Sequence, residues 1–218
     1  MAYYPLFFDF TNQPILIVGG GKIAFEKAKR LLKTKAQIEI IAPNIQKNIL
    51  RLPITCTQRA WKAEDVVNKR LVIAATNDLE LNQSISKACQ KARVLCNVVD
   101  DATLSDVIFG AVAFKDNISI GVSTSGASPK AAQDIRDAID QEILSESLIQ
   151  IVDWLGSQRE FLKQEIEPSL HSKAFKELWL ACQGQGRPLS PQEYDLFLEK
   201  YRNLSSIKLE NRMELKIH

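Results

Sequence analysis

Residues 15–25 read "ILIVGGGKIAF": four apolar residues, three glycines, then an apolar segment suited to a helix. An unbroken apolar run such as residues 15–18 is what a strand buried on both faces requires. The glycines at its exit fit the pattern G-x-G-x-x-G/A, with Gly19, Gly21 and Ala24 at the fixed places and Gly20, Lys22 and Ile23 between them. Each small residue has a physical task in that pattern. Gly19 permits the tight turn, Gly21 lets the backbone approach a pyrophosphate at the positive end of the following helix, and Ala24 lets that helix pack close to the strand. The pattern alone is weak, since a plain structural glycine turn also satisfies it. Its place after the first strand gives it weight.

The chain on either side supplies that context. Residues 22–33 set Ile23, Ala24, Ala28, Leu31 and Leu32 on one helical face. "AQIEIIAP" predicts a second strand stopped by Pro43, "IQKNILRL" a short helix and "ITCTQ" a short strand. "RLVIAATN" and "VLCNVV" read as buried strands, with helical spacing at Leu81, Ile85, Ala88, Cys89 and Ala92 between them. Alternating strand and helix predict an α/β fold with a parallel, doubly wound, Rossmann-like sheet.

After residue 106 the pattern changes. "VIFGAVAFKDNISIGVSTSG" predicts two antiparallel strands turning at Asp116-Asn117, and "SPKAAQDIRDAIDQEI" a helix with Ser128 as N-cap and Pro129 at its first position. Only helices follow to about residue 205, one starting at the capping box "SPQE", and residues 206–218 read as polar and loosely held. The expected organisation is a dinucleotide-binding domain over 1–112, a small central segment over 113–145 and a C-terminal helical domain over 146–218.

Composition narrows the function classes. With 28 Lys and Arg against 26 Asp and Glu, the net charge of +2 gives no electrostatic footprint for nucleic acid or an anionic membrane. Residues 1–112 carry 15 basic and 10 acidic side chains and residues 113–218 carry 13 and 16, which fits either chance or a polyanionic ligand near the first part. Four cysteines without C-x-x-C spacing and two histidines argue against a structural zinc site and suit a reducing cytoplasm. "MAYYPLFFDF" contains Pro5 and Asp9, lacks a basic n-region and is too short to span a bilayer, so it is read as an edge segment packing on the core.

In such sheets ligands bind at the carboxyl ends of the strands. Three exits therefore matter beside the glycine loop. The second strand ends at Ile41-Ala42-Pro43-Asn44, without the acidic residue that usually binds the ribose hydroxyls, so Asn44 or backbone beside Pro43 takes that place. No arginine cluster stands there for a 2′-phosphate, which points to NAD. The other exits are "AATND" (74–78), with Ala75 and Thr76, and "NVVDD" (97–101), with Asn97 and Asp100. Asp78 reads as the cap of the next helix. Asp100 reads either as a catalytic carboxylate or, with Asp101, as a turn brace.

The stretches "YPLFFDF", "ILIVGGGKIAFEKAKRLL", "IIAP", "VIAATNDLELNQSI", "NVVDDATLSDVIFGA" and "STSGASPKAAQDIR" together resemble the precorrin-2 dehydrogenase part of the siroheme synthase family. The resemblance covers nearly the whole chain and is strongest from residue 4 to about 140. It implies NAD-dependent oxidation of precorrin-2 to sirohydrochlorin, with ferrous-iron insertion in some members, and a homodimer joined through the central segment. Carried onto this sequence, it puts the cofactor loop at Gly19, Gly20, Gly21, Lys22 and Ile23, with Pro43 and Asn44. It puts the proposed base at Asp100 and a substrate-region hydroxyl at Thr124, followed by Ser125. Glu26, Ala102, Gly110 and the pair Ser125-Gly126 depart from the family's usual residues and leave pocket details and chelation open.

The implied reaction sends a hydride to the nicotinamide and a proton to a base, so it calls for positioning and a carboxylate, with no nucleophile or metal. Precorrin-2 is a polycarboxylate, and Lys130 and Arg136, after the Thr124 loop, are candidate cations for it, or else a solvated helix face. Two other classes remain: an NAD-binding regulatory module, and a tetrapyrrole chelatase or carrier without oxidation.

Overall fold

A computed structural model describes residues 3–214, with side chains through residue 204. Two compact units divide it, one beginning at Tyr4 and ending at Phe109 and the other running from Gly110 onward.

The first unit is a five-stranded parallel sheet in the order β3-β2-β1-β4-β5, with β1 Pro14–Val18, β2 Gln37–Ile41, β3 Thr55–Thr57, β4 Leu71–Ala74 and β5 Leu95–Val98. Helix α1 (Lys22–Leu32) follows β1 and α2 (Leu79–Ala92) follows β4. The continuous apolar run of β1 has a direct cause. Ile15 and Ile17 join Ala24, Ala28 and Leu31 of α1 in one core, while Leu16 and Val18 join Ile85 and Cys89 of α2 in another. Successive residues face opposite sides, and both sides are covered, so neither parity tolerates a polar residue.

Chain direction reverses across β1. The chain runs outward from β1 to β2 and β3, then returns to lay β4 on the other side of β1. That switch point opens a crevice at the carboxyl ends of β1 and β4, where the glycines lie. The outer edge of β5 is closed by the segment after it. Ser105 Oγ accepts from Val98 N–H (2.8 Å), the Asp106 carboxylate accepts from Cys96 N–H (3.0 Å), and Asn97 Nδ2 donates to the Val107 carbonyl (2.9 Å).

Three local expectations change. "IQKNILRL" is only a 3₁₀ turn over Ile49–Arg51: Asn48 caps Ile49 N–H, Ile49 alone is buried and Leu50 is exposed. Pro53 follows closely, and a segment this short with one anchor does not sustain an α-helix. Ile23 is exposed, because the first turn of α1 opens toward the crevice; the packed face is Ala24, Ala28 and Leu31. The amino-terminal segment forms no strand. Tyr4, Leu6 and Phe7 are exposed, and Phe10 is the ring that packs on the core.

In the second unit β6 (Ala111–Lys115) and β7 (Ile118–Val122) form the antiparallel pair, turning at Asp116 and Asn117. Helix α3 (Pro129–Ala138) packs on it, capped by Ser128 Oγ accepting from Ala131 N–H, and runs into a π-helical turn at Ile139–Ile143. Helices α4 (Glu146–Glu165), α5 (His171–Gln185) and α6 (Pro191–Glu214) enclose a core of Ile151, Leu162, Leu178, Leu198 and Tyr201. The "SPQE" box forms as expected, with Ser190 N–H donating to the Glu193 carboxylate at 2.7 Å. The expected loose tail is helical to Glu214, and its last four residues lie outside the described residues. Among the described residues no helix is long and apolar enough to cross a membrane.

Candidate functional site

The glycine loop is held by two backbone contacts that exclude side chains. Gly19 has φ +128°, and a Cβ there would stand 2.2 Å from the Ala75 carbonyl oxygen. Only glycine accepts both that dihedral and that approach. Strand exits β1 and β4 therefore touch through backbone, which assigns Ala75 a physical place in the loop. Gly20, the variable position of the motif, is equally constrained: its Cβ would lie 2.0 Å from the Asn44 carbonyl oxygen. Its own carbonyl accepts from Gln46 N–H at 3.0 Å, so the loop after β2 folds back onto the glycines. Spacing did not reveal this second closure, because Gln46 carries no motif signal.

Gly21 differs. A Cβ there would meet nothing within 4 Å. Nothing in the chain itself requires glycine at this N-cap of α1, where φ and ψ are −94° and −168° and no side chain caps the helix. The leading N–H groups of α1 are left facing an open cradle without acidic residues in the first turn, the arrangement that accepts a phosphate. Gly20, Gly21, Asn44, Ile45 and Gln46 line a cavity of about 300 Å³ at this point. A larger cleft of about 630 Å³, lined by Pro14, Gln37, Glu39 and Thr55, lies at the opposite ends of the strands. Parallel sheets bind ligands at the carboxyl ends, so the smaller cavity is the candidate site. Lys22, Pro43 and Asn44 are exposed around it.

At the β4 exit, Thr76 is clamped by a residue that motif reasoning passed over. The Thr76 hydroxyl donates to Asn82 Oδ1 at 2.7 Å, and Asn82 Nδ2 donates to the Thr76 carbonyl at 3.1 Å. Asn82 is buried on α2, and an amide among the apolar residues of that helix face is the signal that could have found it. Asp78 caps α2 through Leu81 N–H, as expected.

At the β5 exit the two aspartates part. Asp101 accepts from Thr103 N–H, the Thr103 hydroxyl and Leu104 N–H, and these bonds hold its carboxyl below the usual carboxylate range. Asp101 is the turn brace. Asp100 is exposed, sits in the left-handed region at φ +63°, and among the described residues its carboxylate has no hydrogen-bond or ion-pair partner. A non-glycine residue there carries backbone strain and invites a functional explanation. Asn97 is buried; its amide nitrogen braces Val107 and, among the described residues, its oxygen has no hydrogen-bond partner.

The remaining candidates belong to the second unit. The Thr124 hydroxyl donates to the Ser128 carbonyl (2.9 Å) and accepts from Ser128 N–H (3.1 Å), tying the loop to the start of α3. Ser125 is exposed at φ +53°. Lys130 pairs with Asp134 at 2.5 Å and Arg136 with Asp137 at 2.6 Å. Both cations already have carboxylate partners on their own helix, which lowers their availability to another anion.

Comparison with known proteins agrees with this architecture. Residues 6–111 match the family described as "Putative NAD(P)-binding". A siroheme synthase of Mannheimia succiniciproducens is 32% identical over 181 residues, 81% of this chain and 38% of its own length. Siroheme synthase 1 of Serratia proteamaculans is 35% identical over 170 residues, 76% of this chain and 36% of its own length. Siroheme synthase 1 of Aeromonas hydrophila is 29% identical over 220 residues, 96% of this chain and 47% of its own length. The chain thus spans less than half the length of these relatives. The solved structure of SirC, a precorrin-2 dehydrogenase, superposes with a TM-score of 0.69 at 23% identity, covering 92% of this chain and all of that one. This chain is thus similar to siroheme synthases over 76–96% of its length, and its residues 6–111, a Rossmann-like parallel sheet with flanking helices, match the putative NAD(P)-binding family.

Proposed function

We propose that this chain oxidises precorrin-2 to sirohydrochlorin with NAD. The observation that carries the proposal is the unpartnered Asp100 carboxylate on the same edge of the sheet as the open glycine cradle. The relatives' names supply the substrate class. NAD, when bound, supplies the hydride acceptor. The chain's own groups do the rest. Backbone N–H groups at Gly21, Lys22 and Ile23 hold the pyrophosphate, with Gly19 and Gly20 shaping the loop. Pro43 and Asn44 flank the adenosine side, and the absence of an arginine cluster there favours NAD. Ala75, Thr76 and Asn97 form the wall of the crevice. Asp100 takes the proton that leaves the substrate as the hydride departs, so one two-electron oxidation releases one proton to the carboxylate.

Thr124, Ser125, Lys130 and Arg136 are proposed substrate contacts, in a cytoplasmic homodimer whose shared element is the 113–145 segment. The three-part division at 112 and 145 belongs to this reading. Support for the dimer lies in the β6–β7 pair, too small to form a core of its own.

The test is purified chain given precorrin-2 with NAD, followed by NADH absorbance. Asp100→Asn keeps shape and removes basicity. It is expected to bind NAD normally and turn over at least about 10²-fold more slowly. Near-normal turnover would leave Asp100 a positioning role only. Absence of NADH with the wild-type chain, despite NAD binding, would favour the chelatase or regulatory reading.

A further inference from the structure

Helix α1 carries a cation that the chain itself leaves unmatched. Lys27 sits on the flank facing the segment that closes β5, and its Nζ stands 3.9 Å from the centroid of the Phe109 ring. An aromatic face attracts an ammonium but gives its N–H donors no oxygen acceptor. Among the described residues Lys27 forms no hydrogen bond or ion pair, and its side chain is partly buried. Arg30 stands one turn further along α1, exposed and equally without an ion-pair partner among the described residues; Glu26, one turn before it, forms no ion pair with it. Like charges at this spacing on a helix repel. Burial and, next, Arg30 draw the Lys27 ammonium down from 10.5 to about 8. Lys130 and Arg136 differ in this respect, since each already holds a carboxylate. A partly desolvated cation with idle donors is costly for structure alone, and an arriving carboxylate removes that cost without displacing any partner.

We propose that Lys27, with Arg30 beside it, is a binding point for one carboxylate of a polycarboxylate tetrapyrrole, the Phe109 ring holding the ammonium in place. This rests on the tetrapyrrole substrate of the proposed function, and on no particular role for Asp100. The position suits the task. At a rise of 1.5 Å per residue, Lys27 lies about 9 Å along α1 from the Gly21 cap, so a carboxylate there leaves the phosphate cradle clear. Phe109 comes two residues after Val107, whose carbonyl is bonded to Asn97 of β5. The cation therefore stands on the flank of α1 turned toward that strand's closing segment, at a distance from the cradle that a macrocycle with peripheral acid arms can bridge.

The test uses the full chain with saturating NAD and uroporphyrin, a polycarboxylate porphyrin that has no hydride to give, its binding followed by porphyrin fluorescence. The wild-type chain should bind it, more weakly as salt rises. Lys27→Met should weaken binding at least about tenfold, the loss expected of a charge-assisted hydrogen bond, and reduce the salt dependence. Lys27→Arg keeps the charge and should restore most of the affinity. Arg30→Met, at an exposed position, should cost about two- to fivefold. NAD affinity by calorimetry should match wild type in each variant, which shows that the first unit is folded; if Lys27→Met fails that check, Lys27→Gln replaces it under the same criterion. Unchanged uroporphyrin affinity in the neutral variant overturns the proposal, as does failure of the wild-type chain to bind the porphyrin. The two readings fail separately. A chain that binds uroporphyrin through Lys27 yet forms no NADH from precorrin-2 refutes the oxidation and leaves this site standing. A chain that oxidises precorrin-2 while its Lys27→Met variant binds uroporphyrin like wild type refutes this site alone.

Discussion

Alanine at Gly20 and at Gly21 should have opposite consequences, although the two residues are neighbours in one motif. At Gly20 the new methyl would stand 2.0 Å from the Asn44 carbonyl oxygen and 2.9 Å from Ile45 Cα. Both atoms are backbone, so no side chain can swing away. The loop after β2 must retreat by about 1 Å to bring the nearest contact to an acceptable 3.0 Å, and that movement opens the Gln46 N–H to Gly20 carbonyl bond. Overpacking of this kind costs about 1–3 kcal/mol and the lost hydrogen bond about 1 more, so Gly20→Ala should destabilise the first unit by about 2–4 kcal/mol. At Gly21 the methyl meets nothing, and its dihedrals suit any residue. The lower entropy of the unfolded chain, worth about 0.4–1 kcal/mol, is offset by alanine's poorer N-capping. Net stability should stay within about 0.5 kcal/mol of wild type. The same methyl occupies the phosphate cradle, so NAD affinity should fall at least about tenfold, or 1.4 kcal/mol. Urea unfolding followed by hydrogen exchange of β1 and β2 amides gives the first quantity and calorimetry the second. A Gly20→Ala protein as stable as wild type would refute the backbone approach. A Gly21→Ala protein that binds NAD normally would refute the cradle.

Other perturbations probe separate parts of the molecule. Asn82→Ala removes both bonds that clamp Thr76 and should cost roughly 1–3 kcal/mol and weaken NAD binding, checked by denaturation and calorimetry. Glu193, in a two-point pair with Arg187 and bonded to Ser190 N–H, has its carboxyl lowered from 4.5 to about 2. A lowered folded value means the carboxylate stabilises the helical unit above about pH 4.5 and stops doing so as pH falls toward 2. Glu193→Gln should thus be less stable than wild type at pH 7 and equal to it near pH 2, by thermal scans across that range. Light scattering at micromolar concentration should give twice the chain mass of 24.5 kDa; a monomer would count against sharing of β6–β7 between chains.

Much of the first unit follows from local pattern. Residues 15–18 and 71–74 are apolar at every position because both faces of a parallel strand are covered, and that requirement is written at each residue separately. The caps Asp78, Ser128 and Ser190 were legible for the same reason: a cap bonds to N–H groups two or three residues away. Gly19, Gly21 and Ala24 were legible because one turn of backbone imposes their spacing. What tertiary structure alone decided depends on which distant backbone arrives. Gly20 is a variable place in the motif, yet Asn44 approaches it. Asp100 and Asp101 are identical side chains, yet Asp101 is consumed by Thr103 and Leu104, while the Asp100 carboxylate has no hydrogen-bond or ion-pair partner among the described residues. Tyr4, Leu6 and Phe7 are as apolar as any core residue, yet their segment finds no strand partner and stays exposed. Lys27 resembles every other lysine of α1 until Phe109, 82 positions later, closes over it. Periodicity records what a residue's own helix or strand requires, whereas desolvation, close approach and the availability of a charge are set by atoms far away in the chain, and these are the properties on which the chemistry of the site depends.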